Sequence, residues 1–195
     1  MVINHRYQFL FIHVPKNAGS TISKVLSEAR ETELIHPPHM KMAKAIEMYP
    51  EATKYFKIGC VRNPYDRIVS GYHFFKRSLK YSEEAESLDE YRTFKQFMYK
   101  IKENPEIINQ KRLLNRSFDF LSVDGKVDVD ILIRFENIKN DIKSIQEQFG
   151  LKRYVGVRNA TVHKPYREIH DKETIDITYN IYKKDFEEFG YDRRI

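Results

Sequence analysis

One cysteine, Cys60, stands among 195 residues, so no intrachain disulfide can form. It lies inside an apolar run and reads as a small buried core residue rather than a nucleophile. Tryptophan is absent, which leaves aromatic packing to tyrosine and phenylalanine. No stretch approaches the roughly 20 apolar residues of a membrane span. The first apolar run, Phe9 to Val14, is too short for a secretory leader, so a cytoplasmic location is expected. Neither an HExxH pattern nor paired Cys/His spacing occurs, and no metal site is expected. There is no repeat and no low-complexity tract.

What is present describes a globular chain. Hydrophobic residues make up 41% and aromatic residues 13% of it, which argues against disorder. The length suits one domain over residues 1–195 with a real core. A net charge of +6 and a pI near 9.2 suit an anionic partner, although many soluble domains are this basic without one.

The segment from Phe9 through Val14, then Pro15-Lys16-Asn17-Ala18-Gly19-Ser20-Thr21, reads as strand, tight loop and helix start. Backbone N–H groups of such a loop point at an anion, and Lys16 adds a full charge. It is not a Walker A loop, whose lysine directly precedes the hydroxyl residue in G-x-x-x-x-G-K-[ST]. Here the lysine precedes the glycine. A second strand, turn and helix follows in Ile58-Gly59-Cys60-Val61-Arg62-Asn63-Pro64-Tyr65-Asp66-Arg67-Ile68-Val69-Ser70. Pro64 suits a first helical turn, where its missing N–H costs little. Ser70 falls about two helical turns beyond Arg62, so a guanidinium and a hydroxyl can hold a second anion. Two anion sites at strand ends suit a nucleoside with phosphates at both ends.

Along the chain, strands are expected at Tyr7 to Val14, Tyr55 to Val61 and Ile131 to Phe135. Helices are expected at Ser20 to Arg30, Met40 to Met48, Pro64 to Leu79, Leu88 to Lys102, Asn140 to Phe149 and Thr174 to Phe189. Lys80 to Asp89 is acidic and polar and reads as an exposed loop. Phe118 to Leu121 and Val127 to Val129 flank Val123-Asp124-Gly125-Lys126, a hairpin signal. Strand–loop–helix units of this kind predict an α/β fold. Its P-loop-like central parallel sheet is flanked by helices, with ligands beyond the carboxyl ends of the strands.

The pair P-K-N-A-G-S-T and V-R-N-P-Y-D-R-I-V-S-G-Y resembles the 5′-phosphosulfate loop and the 3′-phosphate motif of sulfotransferases that use 3′-phosphoadenosine 5′-phosphosulfate (PAPS). It is most like the branch containing the carbohydrate O-sulfotransferases. The likeness continues through Asn115 to Leu121, Val123 to Asp130, Ile133 to Ile138, His163 to Arg167 and Phe189 to Tyr191. Either motif alone is a moderate signal; both in this order are a strong one.

The resemblance implies sulfuryl transfer from PAPS, without a metal, to a hydroxyl acceptor, in this branch a saccharide. Lys16 would stabilise charge on the leaving 5′-phosphate, with Asn17, Ala18, Gly19, Ser20 and Thr21 cradling the group. Ser20 as a simple helix N-cap is the plain alternative. Arg62 and Ser70 would hold the 3′-phosphate; an ion pair of Arg62 with Asp66 or Glu136 is the alternative. Tyr166 and Arg167 would add nucleotide contacts. Asp66 and Arg67 read as loop supports.

The branch keeps a histidine base between the two motifs, before a short helix. His39 fits that place better than His36, and its ordinary pKa of about 6.5 suits proton transfer near neutrality. Glu47 and Glu51 stay in reserve, because other branches use glutamate. His13 reads as a packed, hydrogen-bonded core residue and His73 as a partly buried helix residue. Lys76, Arg77 and Lys80 read as a solvated helix end.

Two further functions remain open on the residues alone. A P-loop nucleotide kinase or NTPase lacks its G-K-[ST] and a clear Walker B acid. A non-catalytic polyanion-binding module leaves the glycine–hydroxyl loop unexplained, and no nucleic-acid partner is expected.

Overall fold

The computed structural model describes residues 1–79, 91–151 and 164–195. The expected loop at Lys80 to Asp89, the expected start of a helix at Leu88, and His163 lie outside the described residues. In chain order the elements are β1 (Val2–Asn4), β2 (Phe9–Phe11), α1 (Gly19–Leu26), β3 (Thr32–Leu34), α2 (Met42–Met48), β4 (Phe56–Val61) and α3 (Pro64–Leu79). Then come α4 (Phe94–Glu103), α5 (Glu106–Gln110), α6 (Ser117–Leu121), β5 (Ser122–Val123), β6 (Lys126–Val127), β7 (Ile131–Arg134), α7 (Ile138–Gln148), α8 (Tyr166–Ile169) and α9 (Lys172–Phe189). The chain divides into two units, Met1–Arg62 with Ser117–Ala160, and Asn63–Arg116 with Thr161–Ile195.

The first unit is built on a sheet of order β3–β1–β2–β4–β7. β2, β4 and β7 run parallel, with Phe11 opposite Ile58 and Cys60 opposite Ile133. β1 pairs antiparallel with both β2 and β3, so the sheet is mixed rather than wholly parallel. The reason is local: Val2-Ile3-Asn4 turns back through a short connection onto Phe9-Leu10-Phe11, and antiparallel neighbours need no crossover. The central strands are apolar on both faces because helices cover them. Ile22, Val25 and Leu26 of α1 and Ile138, Ile142 and Ile145 of α7 pack with Phe9, Phe11, Ile58, Cys60 and Ile133.

Several boundaries differ from expectation. The first parallel strand is only Phe9–Phe11, because the chain leaves it into the loop that follows. Phe118 to Leu121 is helical, within α6, instead of a hairpin strand. The hairpin is confined to β5 and β6, with Asp124 and Gly125 at positive φ in its turn, the type I′ requirement.

The second unit is helical. α3 starts at Pro64, its first-turn proline, as the sequence predicts, and is described through Leu79. α4 opens on a capping box between Thr93 and Gln96, and α9 on one between Asp171 and Thr174, each satisfying two orphan N–H groups. Gly190 ends α9 at φ 65°, the left-handed stop that glycine takes without strain. The core here is aromatic: Tyr65, Tyr72, Phe75, Phe94, Phe97, Tyr182 and Phe186 are buried together. Arg67, 1% exposed, donates through Nη2 to the carbonyl of Asn115 at 2.6 Å.

Candidate functional site

In the first unit β2 and β4 are parallel neighbours, so the residues after each strand emerge on one edge of the sheet. That edge carries the loop from His13 to Ala18, followed by α1, and it carries Arg62. The loop is shaped by two left-handed non-glycine residues, Lys16 at φ 68° and Ala18 at φ 57°. Each conformation costs of order 1 kcal/mol or more and persists only where surroundings enforce it.

Those surroundings are specific. The buried Asn17 side chain donates from Nδ2 to the Cys60 carbonyl at 2.7 Å and to Ser117 Oγ at 3.3 Å, tying the loop to β4 and α6. Its Oδ1 is buried and accepts no hydrogen bond among the described residues. Arg62 donates from Nη1 to the Lys16 carbonyl at 3.1 Å, and its guanidinium lies 3.9 Å from the centroid of the Phe135 ring. Arg62 is only 8% exposed. The loop is thus pinned by side chains approaching from two other segments.

Ala18, not Ser20, is the helix N-cap, and its carbonyl accepts from the N–H groups of Thr21 and Ile22. Among the described residues, the N–H groups of Asn17, Ala18, Gly19 and Ser20 donate to no protein acceptor. Four successive open donors stand at the positive end of a helix, next in sequence to Lys16, whose carbonyl Arg62 holds; such a helix end attracts anions. Ser20 is exposed and Thr21 buried at its helix end. At Gly19 a Cβ would fall 1.9 Å from His13 Cδ2, so only glycine fits against that ring.

His39 reaches the same edge from the connection between β3 and α2. Ile35 N–H donates to the Met1 carbonyl at 3.1 Å, extending the sheet contact toward the loop that carries it. His39 Nδ1 lies 2.9 Å from the His13 carbonyl. A carbonyl only accepts, so Nδ1 carries the hydrogen, and Nε2 is the lone-pair nitrogen of the neutral ring. The two imidazoles meet edge-to-face, centroids 4.5 Å apart. Burial, then the charge of His39, then the Met1 amine push the His13 pKa down to about 3. The Cys60 thiol is pushed well up, chiefly by burial, in keeping with a core role.

Lys16, Asn17, Ala18, Gly19, Ser20, Thr21, His39 and Arg62 therefore share one unit, the first six in one continuous run from the loop into α1. Ser70, 3% exposed on α3, and Tyr166 and Arg167 on α8 belong to the second unit. There the Arg167 guanidinium lies 5.4 Å from the Tyr166 ring centroid. His36 is exposed. Glu47 is exposed and pairs with Lys44 at 2.8 Å, and Glu51 stands 3.9 Å from His5. Three residues of the edge escaped the sequence reading as site residues: His13, Ser117 and Phe135. His13 lies three positions before Lys16, and Phe135 inside the Ile133-to-Ile138 stretch, so proximity to motifs was the available signal.

Among the described residues no group of three potential metal ligands stands together, and no helix is long and apolar enough to cross a membrane. A family model described as the sulfotransferase family matches residues 1–192. No curated protein and no solved structure matches the chain.

Proposed function

The chain belongs to the sulfotransferase family, and on that premise we propose that it moves a sulfuryl group from PAPS to a saccharide hydroxyl, with His39 as general base. The observation that carries this reading is the run of open N–H groups from Asn17 to Ser20 beside Lys16. The donors and charges of that edge fit a phosphosulfate. Bound there, PAPS would supply a sulfuryl group already activated on a phosphate leaving group.

The chain's own residues then do three things. The loop amides and the α1 N-terminus hold the 5′ end of the nucleotide. Lys16 sets a positive charge where negative charge grows on the leaving oxygen, an interaction worth most in the transition state. His39 Nε2 accepts the acceptor's hydroxyl proton, and the His13 carbonyl on Nδ1 stabilises the imidazolium that results. Arg62 and Ser70 are proposed for the 3′-phosphate on their shared sequence motif, and Tyr166 and Arg167 for further nucleotide contacts on the same kind of ground.

A transfer assay with labelled PAPS against a panel of glycans and small alcohols tests the whole reading; label on a glycan is the expected result. Calorimetry tests the donor separately. Adenosine 3′,5′-bisphosphate should bind at least ~2 kcal/mol more tightly than the 5′-monophosphate. Equal affinities would remove Arg62 and Ser70 from the site. His39→Ala should slow turnover about a hundredfold with nucleotide binding intact. A larger loss in His36→Ala would move the base to that residue. Lys16→Ala should cut turnover more than affinity.

A further inference from the structure

His13 touches both halves of the proposed chemistry, yet neither the anion cradle nor the base requires a histidine there. On one side its carbonyl holds His39 Nδ1 at 2.9 Å and its ring meets the His39 ring edge-to-face at 4.5 Å. On the other side the ring lies so close to Gly19 that a Cβ would come within 1.9 Å of Cδ2 and 2.2 Å of Nε2. Phe11 stacks behind it, centroids 6.2 Å apart at 27°. The ring is therefore wedged between the base and the first residue of α1, the residue that carries one of the cradle's open N–H groups.

We propose that His13 is a positioning residue: its neutral imidazole is a spacer that fixes the orientation and tautomer of His39 and sets the base at one distance from the anion loop. The inference rests on the reading of His39 as the base. Two features of the ring matter. It closes on Gly19, where an added Cβ would run into Cδ2, Nε2 and Cγ. Its neutrality matters because His39 must gain a proton during turnover, and a second cation 4.5 Å away would oppose that. Burial holds His13 neutral across the working range. The titratable groups bearing on it are His39 and the Met1 amine, with Lys16 three residues further along the same loop. The carbonyl alone cannot do the whole task. Any residue at position 13 supplies a carbonyl; the ring adds the edge-to-face contact that sets the plane of the His39 imidazole and so the aim of its Nε2. A misplacement of about 1 Å at a reacting group can cost up to a hundredfold in rate.

The test begins on the unliganded protein by nitrogen-15 NMR of its histidines. His39 should be the pure Nδ1–H tautomer when neutral, and His13 should stay neutral well below pH 5. A mixed or Nε2–H tautomer for His39 in the wild type overturns the proposal without any variant. In His13→Ala the His39 signals should move to a tautomer mixture. Turnover should fall about tenfold or more, and the acid limb of the kcat profile should shift. The Kd for adenosine 3′,5′-bisphosphate should stay within about twofold. Should His13→Ala not fold, His13→Gln takes its place, since it fills part of the space without a ring; the same losses are expected. A folded variant at position 13 with wild-type tautomer, rate and pH profile overturns the proposal. If His39→Ala turns over like wild type, the base reading and this inference fall together. If His39→Ala is inactive while the His13 variants behave as wild type, this inference alone falls.

Discussion

The sheet unit and the helical unit are stabilised in different ways. In the helical unit rings pack on rings: Tyr72 lies 5.3 Å from Phe97 and 5.6 Å from Phe94, and Tyr65 lies 5.0 Å from Phe186, centroid to centroid. There α4 and α9 begin on capping boxes, and α9 ends on a left-handed glycine. The sheet unit packs mainly aliphatic side chains on short strands. Among the described residues, every non-glycine residue at positive φ lies in the sheet unit: Gln8, Lys16, Ala18, Glu31 and Asp124. Two of these five shape the anion loop. The other three lie in turns between short elements, so backbone strain follows the tight connections of the sheet unit.

A pair of glycine substitutions gives the largest expected contrast. Gly19→Ala in the sheet unit drives a Cβ into the His13 ring, so ring or loop must move. Turnover should fall about a hundredfold, with about 1–3 kcal/mol of stability lost to overpacking. Gly71→Ala in the helical unit meets only the flexible ends of Leu114 at 3.2 Å and Leu113 at 3.4 Å. Crowding there is offset by the better helix propensity of alanine, and stability should stay within about 1 kcal/mol. Similar outcomes in a urea titration and a rate assay would break the contrast.

Next in size is the arginine buried in the helical unit. Arg67→Ala opens a cavity and removes the donor to the Asn115 carbonyl. A loss of about 3 kcal/mol is expected in the urea midpoint. If no loss appears, the aromatic packing alone holds that unit.

An acid titration of stability sharpens the comparison further. The unfolded His13 binds its proton near pH 6.5 and the folded one only near pH 3. Its contribution is therefore fully present above pH 6.5 and is lost as pH falls toward 3, at up to about 1.4 kcal/mol per pH unit. His170 of the helical unit is also held below its ordinary pKa, chiefly by burial, and acts with the same sign. His13→Gln should flatten the pH dependence; an unchanged slope would assign acid sensitivity to the helical unit. The smallest effect belongs to Lys95, exposed between Asp171 at 2.8 Å and Glu173 at 2.6 Å. Lys95→Met should lower the melting midpoint slightly, and high salt should erase the difference.

These contrasts also mark what was legible in the sequence. The start of α3 was readable, since Pro64 fixes it and an apolar helical period sustains the helix. The end of β4 was readable because its apolar run stops at Arg62; the end of β2 was not, because the apolar run continues to Val14 while the strand stops at Phe11. β1 was not, for a three-residue strand carries no period to detect. α6 was mistaken for a strand because Phe118 and Phe120 alternate as strand residues do, while tertiary packing decides in favour of the helix. Within the proposed site, Lys16 and the glycine–hydroxyl run are the part that residue type and order make legible. The left-handed turns at Lys16 and Ala18 did not, since nothing in lysine or alanine favours that conformation. The contacts of His13 with His39 and Gly19 are equally silent, because they join segments 26 and 6 positions apart.

Cys60 gives the sheet unit a chemical clock. Its thiol is fully buried and its pKa is raised, while its carbonyl holds the Asn17 side chain of the loop. An alkylating reagent reaches it only when β4 opens, and with no second cysteine in the chain each modification records one such event. A ligand gripping the loop must slow the clock by the factor one plus its concentration over its Kd. Mass spectrometry of alkylated protein therefore times the breathing of one half of this molecule, and weighs its ligands, without any engineered label.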